Sequence, residues 1–453
     1  MENLLAARAQ MGTSLAFHIT FSLFGIGLPF FLCLAEGLGL KTGNPTWLLL
    51  ARRWTRAAAI LFAIGAISGT IISFELGLLW PTYTRFAGQV VGLPFLLEGF
   101  AFFVEAIFLG LYLYGWNRLS PRVHWLCSFP IWISGILSAW FIISANSWMN
   151  TPAGFVIRQG KIVDVQPWQA IFNPSMPYET LHMLLACFVV TSLVLAGISA
   201  IALLRGKRGD YYRKGLLLAM SIAVLCTPLQ ILSGDLNARF LARAQPVKFA
   251  ALEGDFHTES GPPLRIGGLA DAQTGQVYYA LEIPHGESLL LYLNLNGRVR
   301  GLDAFARQDW PDAISVVHLA FDTMVGCGLF ALLVALLFWL LFWRRRERIF
   351  ARKWLLAGIV LAGPSTMVAV ICGWLVTEMG RQPWVIAGFL RTSHAVTPAP
   401  WVSLSFLVFV LVYLLLSTAL LRLLLGLARL PLPQIQSLTE AYALDEVESS
   451  GAL

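Results

Sequence analysis

The sequence predicts an all-α polytopic membrane protein of about nine transmembrane helices. Three observations carry this. Of 453 residues, 57% are hydrophobic and only 13% charged, with a mean hydropathy of +0.70, a balance foreign to soluble domains. Apolar runs of about 20 residues, enough to cross a bilayer, recur from end to end. Basic residues gather in alternate connections between those runs.

The first span, 14–37, lacks a basic leader and is longer than the apolar core of a signal peptide, so it reads as a retained helix. Arg52, Arg53 and Arg56 precede the second span, 57–79. The third and fourth, 94–115 and 125–147, flank Arg118 and Arg122. The fifth and sixth, 180–204 and 215–235, flank Arg205, Lys207, Arg208, Arg213 and Lys214. The seventh and eighth, 316–343 and 354–378, flank Arg344, Arg345, Arg346, Arg348, Arg352 and Lys353. The ninth is 401–424.

Sorted by side, 19 Lys and Arg fall on one face and 13 on the other, seven of those 13 in one long loop. The positive-inside rule makes the clustered side cytoplasmic, the N-terminus outside and the C-terminus inside. The +7 net charge is thus topological, and no nucleic-acid partner is expected. The six cysteines are scattered through apolar segments without CxxC or CxxCH, which argues against an iron–sulfur site and covalently attached haem.

The expected division is helices 1–6 over 1–235, an extracytoplasmic loop over 236–315, helices 7–9 over 316–424 and a cytoplasmic tail over 425–453. A shorter outer loop covers 148–178. About 80 residues is long for a connection and points to function. Within the long loop, "GQVYYALEIPHG" and "LLLYLNLNG" read as a small hairpin. The tail carries Glu440, Asp445, Glu446 and Glu448 and is assigned no chemistry.

His18, Glu98, Glu105, His182 and Glu378 lie inside the greasy segments. A charged group at mid-membrane costs roughly 2.5–3.5 kcal/mol, so such groups point to a metal, a proton path or a substrate. At about 1.5 Å per residue, His182, Met324, His18, Glu378 and Glu98 share one depth near the outer face. Trp374 lies there too. Glu105 lies about 10 Å deeper on the same helix face as Glu98. Ser138 and Asn146 extend a polar line that can lead protons up from the cytoplasm.

Imidazole with thioether is an axial pair for low-spin haem, and a lone His or carboxylate suits an oxygen-binding haem. Each residue also has a plainer reading. An intramembrane His packs through hydrogen bonds, Met324 fills a gap, and Glu378 pairs with nearby Arg381. Glu98 and Glu105 suit a transporter's proton path, and His124 suits an interface. Depth alone does not separate a haem protein from a proton-coupled transporter.

The segment "GWLVTEMGRQPW" (373–384) resembles the GRQPW signature of subunit I of the cytochrome bd-type quinol oxidases. "LEGFAFFVEAIFLGLYLYGWNRL" (97–119), "LSAWFIISANSWMNTP" (137–152), the His18 region and "KFAALEGDF" (248–256) resemble family segments in the same order. The resemblance implies two four-helix bundles plus one peripheral helix. It implies His182 and Met324 as axial ligands of a low-spin haem b (b558-type). His18 and Glu378 become ligands in a di-haem oxygen site, which holds a high-spin haem b (b595-type) and either haem d or a second high-spin haem b. Glu98 stands beside that site, with Trp374 between cofactors and Arg381 on propionates or a carboxylate.

The resemblance also gives Glu105, Ser138, Asn146 and His124 to a cytoplasmic proton path. Lys248 and Glu253 match a quinol-site pair, with Asp235 at the entrance of their loop. Implied partners are a second large membrane subunit, a small single-helix subunit, ubiquinol or menaquinol, O2 and the lipid bilayer. The implied location is the bacterial cytoplasmic (inner) membrane.

Departures from the family pattern are Asp322 in place of an Arg, Ala106 after Glu105, and "FELGLLWPTYTRFAG" in place of an FQFGTNW-like turn. With the short loop, these resemble the sometimes cyanide-insensitive branch. A carboxylate at Asp322 is expected to lower the potential of the nearby haem. The competing reading, a proton-coupled transporter, predicts discontinuous helices around a midplane site.

Overall fold

The computed structural model describes residues 2–207 and 209–431; Arg208 and the tail with Glu440, Asp445, Glu446 and Glu448 lie outside them. The chain opens with four long helices, α1 (Glu2–Thr42), α2 (Pro45–Leu79), α3 (Pro81–Tyr114) and α4 (Pro121–Asn150). A hairpin of β1 (Val156–Arg158) and β2 (Lys161–Val163) and the short α5 (Pro167–Ile171) lead to α6 (Met176–Leu204) and α7 (Asp210–Ala244). The long loop holds α8 (Pro246–Glu253), β3 (Glu259–Ser260), β4 (Leu264–Ile266), β5 (Leu269–Asp271), β6 (Gln276–Tyr278), β7 (Leu281–Ile283), α9 (Gly286–Tyr292) and β8 (Arg298–Val299). Then come α10 (Ile314–Arg345), α11 (Lys353–Gly380), the strands β9 (Trp384–Ile386) and β10 (Leu390–Arg391), α12 (Thr392–Ala395) and α13 (Val402–Arg429).

Among the described residues, nine helices are long and apolar enough to cross a membrane, one for each expected span. Proline sits in the first turn of α2, α3, α4 and α8, where its missing N–H leaves nothing unpaired. Asn44 caps α2, its Oδ1 accepting the Thr46 N–H at 3.0 Å. Helices α1–α4 pack as one bundle, and α6, α7, α10 and α11 as a second. Helix α13 lies outside both, against α1 and α2.

The bundles meet chiefly through α1 and α6. Gly27 makes this possible, because a Cβ there would stand 2.2 Å from Thr191 Oγ1 and 2.9 Å from the Cys187 carbonyl oxygen. Without a hydrophobic drive between helices in lipid, such small-residue contacts set how closely they approach.

Two sequence expectations are corrected here. Helix α7 runs to Ala244, so Asp235 lies within a helix and not at the start of a loop. A hydropathy window ends with the apolar run, whereas at about 1.5 Å per residue α7 rises well past a bilayer's thickness. The proposed hairpin is also different. "GQVYYALEIPHG" supplies β6 and β7, which pair back onto β5 and β4. "LLLYLNLNG" forms α9 and a turn. Alternation over so few residues does not separate strand from helix.

Candidate functional site

Apart from His124 and Asp235, the candidate residues assemble in four places. One is between α1 and α2, where His18 Nδ1 lies 3.0 Å from Ser68 Oγ. Ser68 Oγ also donates to its own helix at the Ile64 carbonyl, so the hydroxyl is fixed and fixes the ring. Gly69 faces the imidazole, and a Cβ there would come within 3.0 Å of Cε1.

The second place is in the other bundle. His182 of α6 meets Ser233 Oγ of α7 at 3.0 Å, with Gln230 Nε2 3.1 Å from its Nε2. Gly234 again faces the ring, 3.3 Å from a would-be Cβ to Cε1. On the opposite helix pair, Met324 Sδ of α10 lies 3.0 Å from the position of a Cβ on Gly373 of α11. Trp374 follows, packed against the central apolar core.

The third place joins the bundles. Asn146 of α4 donates to Glu378 Oε1 of α11 at 2.7 Å, and Arg381 NH2 donates to Glu378 Oε2 at 2.5 Å. The plainer reading of Glu378, a pair with Arg381, is thus what the side chains do. Arg381 is buried, and its Nε and NH1 have no hydrogen-bond partner. Below, Ser138 donates to Glu98 Oε1 at 3.2 Å. Glu105 is buried against Gly25 of α1 and Gly135 of α4, whose Cβ positions would lie 3.7 and 3.5 Å from its carboxylate.

Tyr112, Glu105 and Glu98 recur every seven residues, which puts them on one face of α3 about 10 Å apart per step. At the basic end, Tyr112 O–H donates to Glu36 Oε2 at 2.6 Å, and His124 Nδ1 stands 2.7 Å from Glu36 Oε1. His124 is buried.

The fourth place is the long loop. Lys248 and Glu253 share α8, but a spacing of five turns them roughly 140° apart. Lys248 Nζ donates to Asn150 Oδ1 at 2.7 Å, and Asn150 Nδ2 donates to Glu179 Oε1 at 3.1 Å. Burial lowers the Lys248 ammonium to about 8, with Glu179 opposing the shift and Arg381 adding to it. Glu253 faces Asp255, Asp322 and Arg265, and burial followed by the neighbouring carboxylates pushes it well up. Burial raises Asp255 to about 6, although Arg265 NH1 donates to its Oδ1 at 2.7 Å. Asp235 joins neither group, since it pairs with Arg239 at 2.8 Å. Asp322 accepts the Gly267 N–H at 2.7 Å and faces His318 at 3.5 Å, so it also fastens the loop to α10.

Sequence reading passed over Glu36, Glu75 and Glu179, all carboxylates inside membrane helices. The criterion that singled out Glu98 would have found Glu36 and Glu75 within the spans 14–37 and 57–79, whereas Glu179 falls one residue before the span 180–204. Glu287, buried against the Asp255 carboxyl, gave no signal, because its loop reads as exposed.

Among the described residues, no three His, Cys, Asp or Glu side chains converge on a point for a bare metal ion. Haem makes a different demand, since its porphyrin supplies the equatorial nitrogens and the protein only axial donors. Serine-anchored imidazoles, a thioether, glycines lying against these donors and an Arg381 with unpartnered buried nitrogens fit that demand and an anionic propionate.

A profile of the family described as Cytochrome bd terminal oxidase subunit I matches residues 6–431. The chain is 37% identical over 426 residues to the putative cytochrome bd menaquinol oxidase subunit I of Bacillus subtilis, spanning 92% of this chain and 95% of the relative. It is 33% identical over 411 residues to the cytochrome bd ubiquinol oxidase subunit 1 of the same organism, spanning 88% and 87%. The solved bd oxidase from Geobacillus thermodenitrificans superposes with a TM-score of 0.90 at 38% identity, covering 94% of this chain and 98% of that one. The resemblance carried by the GRQPW segment thus extends over almost the whole chain, which belongs to the cytochrome bd terminal oxidase subunit I family.

Proposed function

We propose that this chain is the haem-bearing subunit of a respiratory quinol:O2 oxidoreductase in the bacterial inner membrane. The carrying observation is the pair of serine-anchored histidines, one in each four-helix bundle, each with a glycine against the ring. In this reading His182 and Met324 hold a low-spin haem b. His18 and Glu378 hold the oxygen-site haems, a high-spin haem b with haem d or a second haem b, and Arg381 meets propionates. Bound there, haem supplies one-electron redox chemistry and an iron at which oxygen is reduced.

The remaining residues handle quinol and protons. Lys248, with its charge delivered beside Asn150 and Glu179, and Glu253, a buried acceptor in the loop, flank the quinol site from different sides of α8. The loop faces outward, so quinol protons leave there. Protons for water climb from the cytoplasm past His124, Glu105, Ser138 with Glu98, and Asn146. That separates charge without a pump. A second large subunit and a small single-helix one complete the complex, with ubiquinol or menaquinol as donor. The transporter reading loses support because α1–α4, α6, α7, α10, α11 and α13 are each continuous.

The test is a visible spectrum of the purified, dithionite-reduced complex, which should show haem bands. Colourless protein from haem-replete cells would sink the reading. Met324→Leu should alter the low-spin bands and spare the others; loss of all bands together contradicts the ligand assignment.

A further inference from the structure

The basic end of the first bundle holds a buried carboxylate, Glu36 beside His124, that the path above does not use. Glu36 is 0% and His124 1% exposed. The imidazole stacks on Tyr112 with centroids 4.3 Å apart and is covered by Trp116 at the same distance. Its two nitrogens both face oxygens: Nδ1 is 2.7 Å from Glu36 Oε1, and Nε2 is 2.9 Å from the Tyr112 carbonyl oxygen.

A carbonyl oxygen only accepts, so Nε2 must carry a hydrogen. If the ring is neutral, Nδ1 is then a bare lone pair opposite a carboxylate. That contact is attractive only with a proton between the two atoms. The pair therefore holds one proton more than a neutral imidazole and an ionised carboxylate. Imidazolium beside carboxylate and imidazole beside carboxylic acid satisfy the same heavy-atom positions. The Tyr112 O–H on Oε2 is kept in either form.

The surroundings give this proton a way in and a way on. On one side of Trp116 lies a cavity of about 280 Å³ lined by Arg52, Arg56, Asn117 and Arg118, polar enough to hold water. Deeper in α4, toward Glu105, lies Trp132, whose buried indole N–H has the Cys33 thiol beside it and no oxygen acceptor. It is three residues from Gly135, the residue against the Glu105 carboxylate. A buried donor of this kind calls for a water. Among the described residues, the other charged or titratable groups placed around the pair are Cys33 of α1, Arg52 of α2, Tyr112 of α3 and Cys127 of α4.

We propose that Glu36 and His124 form the proton-loading site of the oxygen-reducing path, holding one resident proton that is passed toward Glu105 and replaced from the Arg-lined cavity. Each transfer breaks an N–H or O–H bond of the pair and forms an O–H bond on water and then on Glu105. Uptake from cavity water restores the pair. Tyr112 positions Glu36, and Arg52 stays charged throughout. The proposal rests on the oxidase reading and adds Glu36 to it.

The test uses the assembled complex with quinol and O2. Glu36→Gln keeps an amide in place of the acid but removes the shared proton. Turnover should fall roughly tenfold or more, with a larger solvent deuterium effect, while the reduced haem spectrum and thermal stability stay unchanged. Glu36→Asp should recover most of the rate. Normal turnover of Glu36→Gln across the pH range overturns the proposal. If Glu105→Gln also turns over normally, the proton path itself is wrong; if Glu105→Gln stops turnover and Glu36→Gln does not, only the loading site is wrong. Should Glu36→Gln fail to assemble, Tyr112→Phe must shift the pH profile of turnover, and an unmoved profile overturns the proposal.

Discussion

Single residues do most of the chemistry, and their neighbours decide which chemistry. Lys248 shows this best. On an exposed loop it would be a permanent cation, but buried beside Asn150 its ammonium titrates near 8. Below that pH the group is charged and, in the proposed quinol site, would bind a quinol oxygen; above it the charge is lost. The apparent KM for quinol should therefore rise as pH passes through about 8. Lys248→Arg keeps its charge and should move that limb to higher pH, while oxygen reduction with an artificial donor stays flat. A KM equally pH-dependent in both proteins would rule Lys248 out. Asp322 is a second case. Its carboxylate faces His318 and accepts the Gly267 N–H, so if the proposed low-spin haem lies beside it, its effect on that potential should be smaller than the bare sequence suggests.

At the scale of elements, the helices are held in register by a few contacts that hydropathy does not encode. Gln10 of α1 donates to Glu75 Oε1 of α2 at 2.8 Å and accepts from Ser405 of α13 at 2.7 Å. At the other end Arg53 of α2 donates to the Leu427 and Leu430 carbonyl oxygens. Together these pin the peripheral helix at both ends. The α1–α6 contact is tighter still. Gly27→Ala forces the Thr191 side chain and the α6 backbone aside, an overpacking worth about 1–3 kcal/mol. Thermal unfolding should shift downward, and the two histidine sites should loosen together. Wild-type stability would mean that the bundles do not depend on this contact.

For the whole molecule, the two bundles share one apolar core that runs from α1 and α2 into α6, α7, α10 and α11. The loop builds a separate core against α10 and α11. Its orientation is a testable consequence of the basic clusters. Over the background of the six native cysteines, Thr274→Cys should react with an impermeant maleimide in intact cells. Arg346→Cys should react only after permeabilisation. The reverse pattern would invert the membrane orientation and with it the direction of the proposed proton path.

The chain by itself determined the number of spans, because crossing a bilayer demands about 20 apolar residues whatever the packing. It also singled out His18, Glu98, Glu105, His182 and Glu378, because intramembrane polar groups stand out against a greasy background. Only the tertiary structure decided partners. It set Glu378 on Arg381 and Asn146, turned Lys248 away from Glu253, and closed Glu36 onto His124 across 88 positions of sequence. Hydropathy is a property of each segment alone, whereas a hydrogen bond between helices depends on rotation and approach, which small residues such as Gly27 set.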